Sequence, residues 1–336
     1  VSGRCLEQPG EPAGSTFHER IRHTAYPCVE KNGIIFAYLG PGEPPLLPGY
    51  GFLTVPEDRV YPVKLLSECN YLQGNEGNVD LLHVGFLHYS HRDLQDRQAR
   101  TAYVGGEDAP LLSSRGAAPY RERCEAELTP SGLHVCKIRD IDPEDNYIRA
   151  GTFILPNLFA TPGGQTNWHV PIDDHRHWKF TIIYSDSGPL DREGVSRRHT
   201  INADYSPVAN RSNRYLQDRS KMATYSYSGI DPSFFQQQDL CVTEGMGPIQ
   251  DRTQEHLVAS DAPIVVARKL LQSAIRDVQE GRDPPAVYRD PAKNTFRDVV
   301  TTYGTLPKSE SWKEHCAKLV ASGRGWQTRV QTAGTR

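Results

Sequence analysis

Four runs decide the fold class: LHVCKIRDI (133–141), YIRAGTFILP (147–156), TNWHVPI (166–172) and HWKFTIIYSD (177–186). Branched and aromatic residues dominate them and turn residues separate them, the pattern of consecutive antiparallel strands. Helical signals gather later. In DPSFFQQQDLCVTEGMG (231–247) Asp231 can cap a helix, Pro232 can open it, and Gly245 or Gly247 can end it. In SDAPIVVARKLLQSAIRDVQEG (260–281) Ser260 or Asp261 can cap, and Ile264, Ala267, Leu271, Ala274 and Val278 recur at helical spacing as one packing face. Strands and helices that segregate along the chain predict an α+β fold. Upstream, HTAYPCVEKNGIIFAYLGPGEPPLLPGY (23–50) reads as two strands about an Asn32–Gly33 turn, then a Pro/Gly-rich connection that places a domain boundary near residue 48.

Composition bounds the function. The chain has 336 residues, formal net charge -3 and a pI near 6.5, which exclude bulk attraction to nucleic acid or anionic lipid. It shows no apolar run of membrane-helix length and opens on VSGRCLEQPGEP without a signal-peptide pattern, so a soluble, cytoplasmic protein is expected. Seven scattered cysteines, with no C-x-x-C, C-x-H or C-x-x-H, read as free buried thiols in a reducing compartment. Residues 186–229 are polar and unpatterned and read either as an exposed loop or as a lid.

Chemistry concentrates in NVDLLHVGFLHYSH (78–91). On a helix, Asp80 and His83 lie three apart on one face, whereas His83 and His88 diverge by about 140°. Gly85 offers a break that would let both imidazoles converge. Two imidazoles and one carboxylate make the open face that suits non-haem Fe(II). Asp239 is the best candidate for the acid, because Asp is a poor choice in mid-helix without other employment. Glu244, Asp251, Asp173 and Asp174 compete with it. His91 reads as an exposed residue, a ligand or a group behind the ligands. Asn70, Gln73 and Glu76 are candidates to orient the ligands, against a reading as ordinary helix residues. Asp173, Asp174, His175 and His177 together read as a solvated turn at a strand end. An H-x4-H spacing alone is equally met by a core histidine and a surface one.

CNYLQGNEGNVDLLHVGFLH (69–88) resembles the mononuclear-iron motif of Rieske non-haem iron oxygenase large subunits, and QQDLCVTE (237–244) is similar to their late-helix carboxylate followed five positions on by an acid. Residues 161–178 and 251–281 look like the phthalate 4,5-dioxygenase branch. The resemblance implies iron ligands His83, His88 and Asp239, and an Asp80 that passes electrons from a 2Fe-2S cluster of the neighbouring subunit. It implies a helix-grip (Bet v 1/START-like) catalytic domain with a curved antiparallel sheet over 49–336, behind the remnant of a Rieske domain over 1–48. It further implies a homotrimer, a flavin/iron-sulfur reductase as donor, and hydroxylation of an aromatic acid with O2, as a dioxygenase or as a monooxygenase or O-demethylase. The family's cluster ligands are missing from the sequence, so the expectation is a truncated subunit that binds iron without turning over. Two readings from other classes are a zinc hydrolase on the same three ligands and a metal-free module that binds an apolar ligand.

Overall fold

The computed structural model describes residues 2–88, 122–198 and 201–326. A hairpin of β1 (Cys28–Lys31) and β2 (Ile34–Ala37) comes first, turning on Asn32 and Gly33 at φ of 53° and 76°. Those left-handed values are what an Asn-Gly hairpin turn supplies. Ile34 and Phe36 pack the hairpin onto the main core beside Trp168. A single turn, α1 (Gly51–Thr54), leads to the main sheet.

That sheet is built from β3 (Val60–Ser67), β4 (Glu122–Thr129), β5 (Gly132–Asp140), β6 (Asp145–Ile154), β7 (Leu158–Thr161), β8 (Gln165–Asp173) and β9 (Arg176–Tyr184), in spatial order β3-β9-β8-β7-β6-β5-β4. Every pairing is antiparallel. An eighth strand, β10 (Thr302–Pro307), shares one edge of β6 with β7: residues 152–154 of β6 bond β7, and residues 145–150 bond β10. The four sequence runs are β5, β6, β8 and β9, as expected.

Helices cover both faces. The long α5 (Ala262–Gln279) crosses β4 and β5, burying Ala267 and Ala274 against a core that includes Leu133, Val135 and Phe153. Each fully buried Leu or Phe there is worth roughly 1.5–3 kcal/mol. The C-terminal α6 (Trp312–Ala321) packs Trp312, Cys316 and Leu319 on the opposite face, over Cys136, Ile138, Ile148 and Ala150. Strand β5 is consequently buried on both sides and shows no polar-out alternation.

Two expectations about helices are corrected. Val278 is 61% exposed, because the last turn of α5 runs on beyond the core. Residues 186–229 are not a bare loop: they hold α3 (Arg192–Arg198), a bridge between Ile201 and Pro207, and two 3-10 turns. Asp204, Asn210 and Asp218 fold these turns by accepting backbone N–H groups two residues on, a local device that leaves no periodic signature. All seven cysteines are free thiols; Cys69, Cys124, Cys136 and Cys316 are buried as expected, whereas Cys28 is exposed and Cys5 and Cys241 are partly exposed. Among the described residues no helix is long and apolar enough to cross a membrane.

Candidate metal centre

Helix α2 (Tyr71–Val79) begins at an Asn70 cap and stops at Asp80, not at Gly85 as the spacing suggests. The reason is chemical. Asp80 Oδ1 accepts the N–H of Leu82 at 2.8 Å and of His83 at 3.4 Å, closing an Asx turn in place of the next helical turn. His83 then starts a separate 3-10 turn through Gly85. The break turns the two imidazoles toward each other, with ring centroids 5.4 Å apart.

The acid arrives on α4 (Phe235–Gly245), entered through a 3-10 turn that Asp231 caps. Asp239 Oδ1 lies 2.9 Å from His88 Nε2 and 3.6 Å from His83 Nε2. The ligating atoms of His83, His88 and Asp239 all fall within 4.8 Å of one another, the one such cluster among the described residues. The other acids point elsewhere. Glu244 accepts from the Glu68 N–H and the Tyr215 hydroxyl, Asp251 caps the turn at Thr253, and Asp173 pairs with Arg176 in an exposed hairpin turn; Asp174, in that same turn, holds the Asn70 amide through its backbone carbonyl. His91 lies outside the described residues.

Both imidazoles are oriented from behind. His88 Nδ1 donates to Gln238 Oε1 at 2.7 Å, because the Gln238 amide nitrogen is already committed to the Ile230 carbonyl. His83 Nδ1 donates to the Asp80 carbonyl at 2.5 Å. Each ring therefore directs its Nε2 at Asp239, where it can donate to the carboxylate when no ion is present or give its lone pair to one. His88 also stacks on Phe235, centroids 3.7 Å apart and 16° from parallel. On the far side, Lys179 Nζ sits 3.3 Å from Asp239 Oδ2. Two imidazoles anchored through Nδ1 and one carboxylate oxygen fit a divalent first-row ion.

Electrostatics agree with that fit. Burial alone would raise the Asp239 carboxyl, but the charges of His88 and Lys179, with hydrogen bonds from both imidazoles, hold it well below the usual carboxylate range. Burial opposes charge on His83 too, yet its bonds to Asp239 and Asp80 push it up to about 9. Burial dominates at His88 and lowers it. A proton on His83 and a metal ion would compete for the same lone pair, so an ion bound here would release that proton.

The candidate orienting residues turn out to be ties between elements. Gln73 donates to the carbonyls of Thr243 and Gly247 and accepts from the Gln250 N–H, pinning α2 to the end of α4. Glu76 binds Arg268 and Arg252, and Arg268 binds Glu255, locking α2 to α5. His177 is no part of a solvated turn. It is 1% exposed and hydrogen-bonded to His169, since strand alternation turns it inward while Asp173 and His175 face water.

A cavity of about 430 Å³ opens beside His83, His88 and Asp239. Leu81, Phe159, Phe235 and Ile264 give it an apolar wall, while the sheet contributes Arg149, Asn167, His169 and Lys179. These sheet residues escape a reading by composition. The signal for them is the period of two, which puts Asn167 and His169 on one face of β8 and His177, Lys179 and Thr181 on the matching face of β9.

A family model described as LigXa C-terminal domain like matches residues 37–333. The chain belongs to the LigXa C-terminal domain-like family. It is 31% identical to the phthalate 4,5-dioxygenase oxygenase subunit of Pseudomonas putida, over 95% of this chain and 74% of that one. It is 27% identical to the 5,5'-dehydrodivanillate O-demethylase oxygenase subunit of Sphingobium sp. (strain NBRC 103272 / SYK-6), over 88% of this chain and 63% of that one. Among solved structures, the terminal oxygenase of carbazole 1,9a-dioxygenase from Novosphingobium sp. KA1 aligns over 83% of this chain and 74% of its own, with 18% identity and a TM-score of 0.47. The LigXa C-terminal domain-like chain is thus a homologue of Rieske-type oxygenase subunits of the phthalate dioxygenase branch, as the motif resemblance implied.

Proposed function

We propose that residues 49–336 form a mononuclear non-haem iron oxygenase domain that inserts oxygen into an aromatic acid. The observation that carries the reading is the convergence of His83, His88 and Asp239 beside a cavity sized for one aromatic ring. When bound there, Fe(II) supplies binding and reduction of dioxygen at the positions the three ligands leave open.

The residues of the chain do the rest. Gln238 and the Asp80 carbonyl hold the imidazoles in register, and Lys179 neutralises the second oxygen of Asp239. Leu81, Phe159 and Phe235 exclude water around the ring. Arg149 favours a carboxylate on that ring. The residue is 8% exposed, and its guanidinium donates to Thr161 Oγ1 at 3.2 Å, leaves NH1 without a partner and, among the described residues, pairs with no acid. A buried cation in that condition is stabilised by an anionic ligand.

Asp80 is our candidate for the electron path. Its carbonyl holds His83 while its carboxylate is one-third exposed (33%), so it touches the ligand on one side and faces a partner on the other. In this reading the partner is a histidine on the 2Fe-2S cluster of an adjoining subunit, which makes a homotrimer and a reductase part of the proposal.

Hydrogen peroxide tests the reaction directly, because it carries oxygen already reduced by two electrons: ArH + H2O2 gives ArOH + H2O. Fe(II)-loaded protein with peroxide and substituted benzoates should yield hydroxylated or demethylated acids, and the Asp239→Ala protein should not. Equal product from both proteins would assign the chemistry to free iron, and activity with zinc and water alone would favour a hydrolase.

A further inference from the structure

Behind the metal centre the sheet buries a second pair of imidazoles with no role in the chemistry above. His177 Nδ1 lies 2.8 Å from the Cys69 carbonyl, and His169 Nδ1 lies 2.8 Å from His177 Nε2. A carbonyl only accepts, so His177 carries its proton on Nδ1 and offers its Nε2 lone pair. His169 must then donate from Nδ1, which leaves a lone pair on its own Nε2. That Nε2 is buried and has no hydrogen-bond partner, in a residue that is 3% exposed and lines the cavity. Burial keeps both rings in the neutral form: His177 is pushed down to about 4, and His169, with His177 and Lys179 adding to the effect of burial, is held well below its ordinary value.

The packing around the pair is specific. A Cβ at Gly74 of α2 would collide with His169 and His177, so only glycine lets the helix close over them. Asn167 continues the polar face toward Asn78, whose amide nitrogen is likewise buried without a partner.

We infer that His169 is a specificity-determining acceptor: its Nε2 receives a hydrogen bond from a hydroxyl or amino group on the substrate ring, so that the pocket takes hydroxylated or amino-substituted aromatic acids in preference to unsubstituted ones or dicarboxylates. The inference rests on the aromatic-acid reading of the cavity. A fixed acceptor attracts an O–H or N–H and repels a second carboxylate, and pairing a buried polar atom that is otherwise unpaired raises affinity about tenfold.

Calorimetric titration of the protein with benzoate, phthalate and the three monohydroxybenzoates tests it without metal or turnover. At least one hydroxybenzoate should bind about tenfold more tightly than benzoate, and His169→Phe should bring that ratio near one. A ratio that survives in His169→Phe, or wild-type protein that prefers benzoate or phthalate, overturns the inference alone. Protein that binds none of the five acids overturns the aromatic-acid reading along with it. Nitrogen-15 spectra of the histidines in the wild-type protein need no variant. An unprotonated His169 Nε2 that shifts when the hydroxybenzoate binds supports the assignment, and a protonated one overturns it.

Discussion

Lys179 holds one oxygen of Asp239 and leaves the other to the histidines: Nζ is 3.3 Å from Oδ2, while His88 Nε2 is 2.9 Å from Oδ1. The carboxylate is divided between a protein cation and the ligand point, so it is set to give a metal a single oxygen. Strand β9 and helix α4 meet through this contact.

Replacing Lys179 by Met should remove a buried counter-charge and lower the stability of the metal-free protein by about 1–3 kcal/mol. Added Mn(II) or Fe(II) should then raise the melting temperature by more than in wild type, since the freed oxygen becomes available to the ion. Urea and thermal unfolding with and without metal measure both effects. Unchanged stability in both states would mean that Lys179 does not bear on the carboxylate.

Gln238→Leu removes the acceptor that fixes the tautomer of His88 without touching a ligand. Metal affinity should fall by about 10–100-fold with little change in fold, as is usual when a group behind a metal-bound histidine is lost. Competition titration against a chelator reads this out, and unaltered affinity would show that His88 is oriented by its stack on Phe235 alone.

Gln73 satisfies three backbone groups at once, from Thr243, Gly247 and Gln250. Gln73→Leu should therefore cost about 2–4 kcal/mol, the penalty for stranding several buried polar groups. The urea midpoint should drop with the slope unchanged. A midpoint within experimental error of wild type would mean that water replaces the amide.

Acid should weaken the fold through buried imidazoles. His177 is pushed down to about 4 by burial, with Lys179 adding and its bond to the Cys69 carbonyl opposing, so the unfolded chain takes up a proton that the folded chain refuses. Its contribution is complete above about pH 6.5, the ordinary imidazole value, and is lost as pH falls toward 4. At about 1.4 kcal/mol per unit this single group amounts to about 3 kcal/mol by pH 4. His134, lowered by burial against its bond to the Asp298 carbonyl, adds to the same slope. Unfolding free energies measured at intervals from pH 7 to 4 should decline, and His177→Gln should flatten the curve; a wild-type curve already flat over that range would mean that these rings are solvated.

Much of the fold was legible because strands β5, β6, β8 and β9 carry dense branched and aromatic runs, and α4 and α5 carry strong end signals. The candidate trio of His83, His88 and Asp239 was suggested by residue type and resemblance together, and the structure brings the three side chains to one point. Geometry was the harder part. Gly85 looked like the helix break, yet Asp80 makes it, because a side-chain acceptor competing for backbone N–H groups leaves no trace in hydrophobic periodicity. The sheet face of the cavity was missed for a related reason. Arg149, His169 and Lys179 lie within apolar strands and read as strand residues until pairing sets His169 opposite Lys179 and the sheet brings Arg149 to the same cavity.

Oxygen chemistry in this chain requires that His83, His88 and Asp239 bind one ferrous ion. Anaerobic titration of the protein with Fe(II) tests it most directly. One tightly bound iron per chain is expected in wild type, with loss of that site in Asp239→Ala and in His83→Ala. Full iron occupancy retained in Asp239→Ala, in a protein still folded, would contradict it.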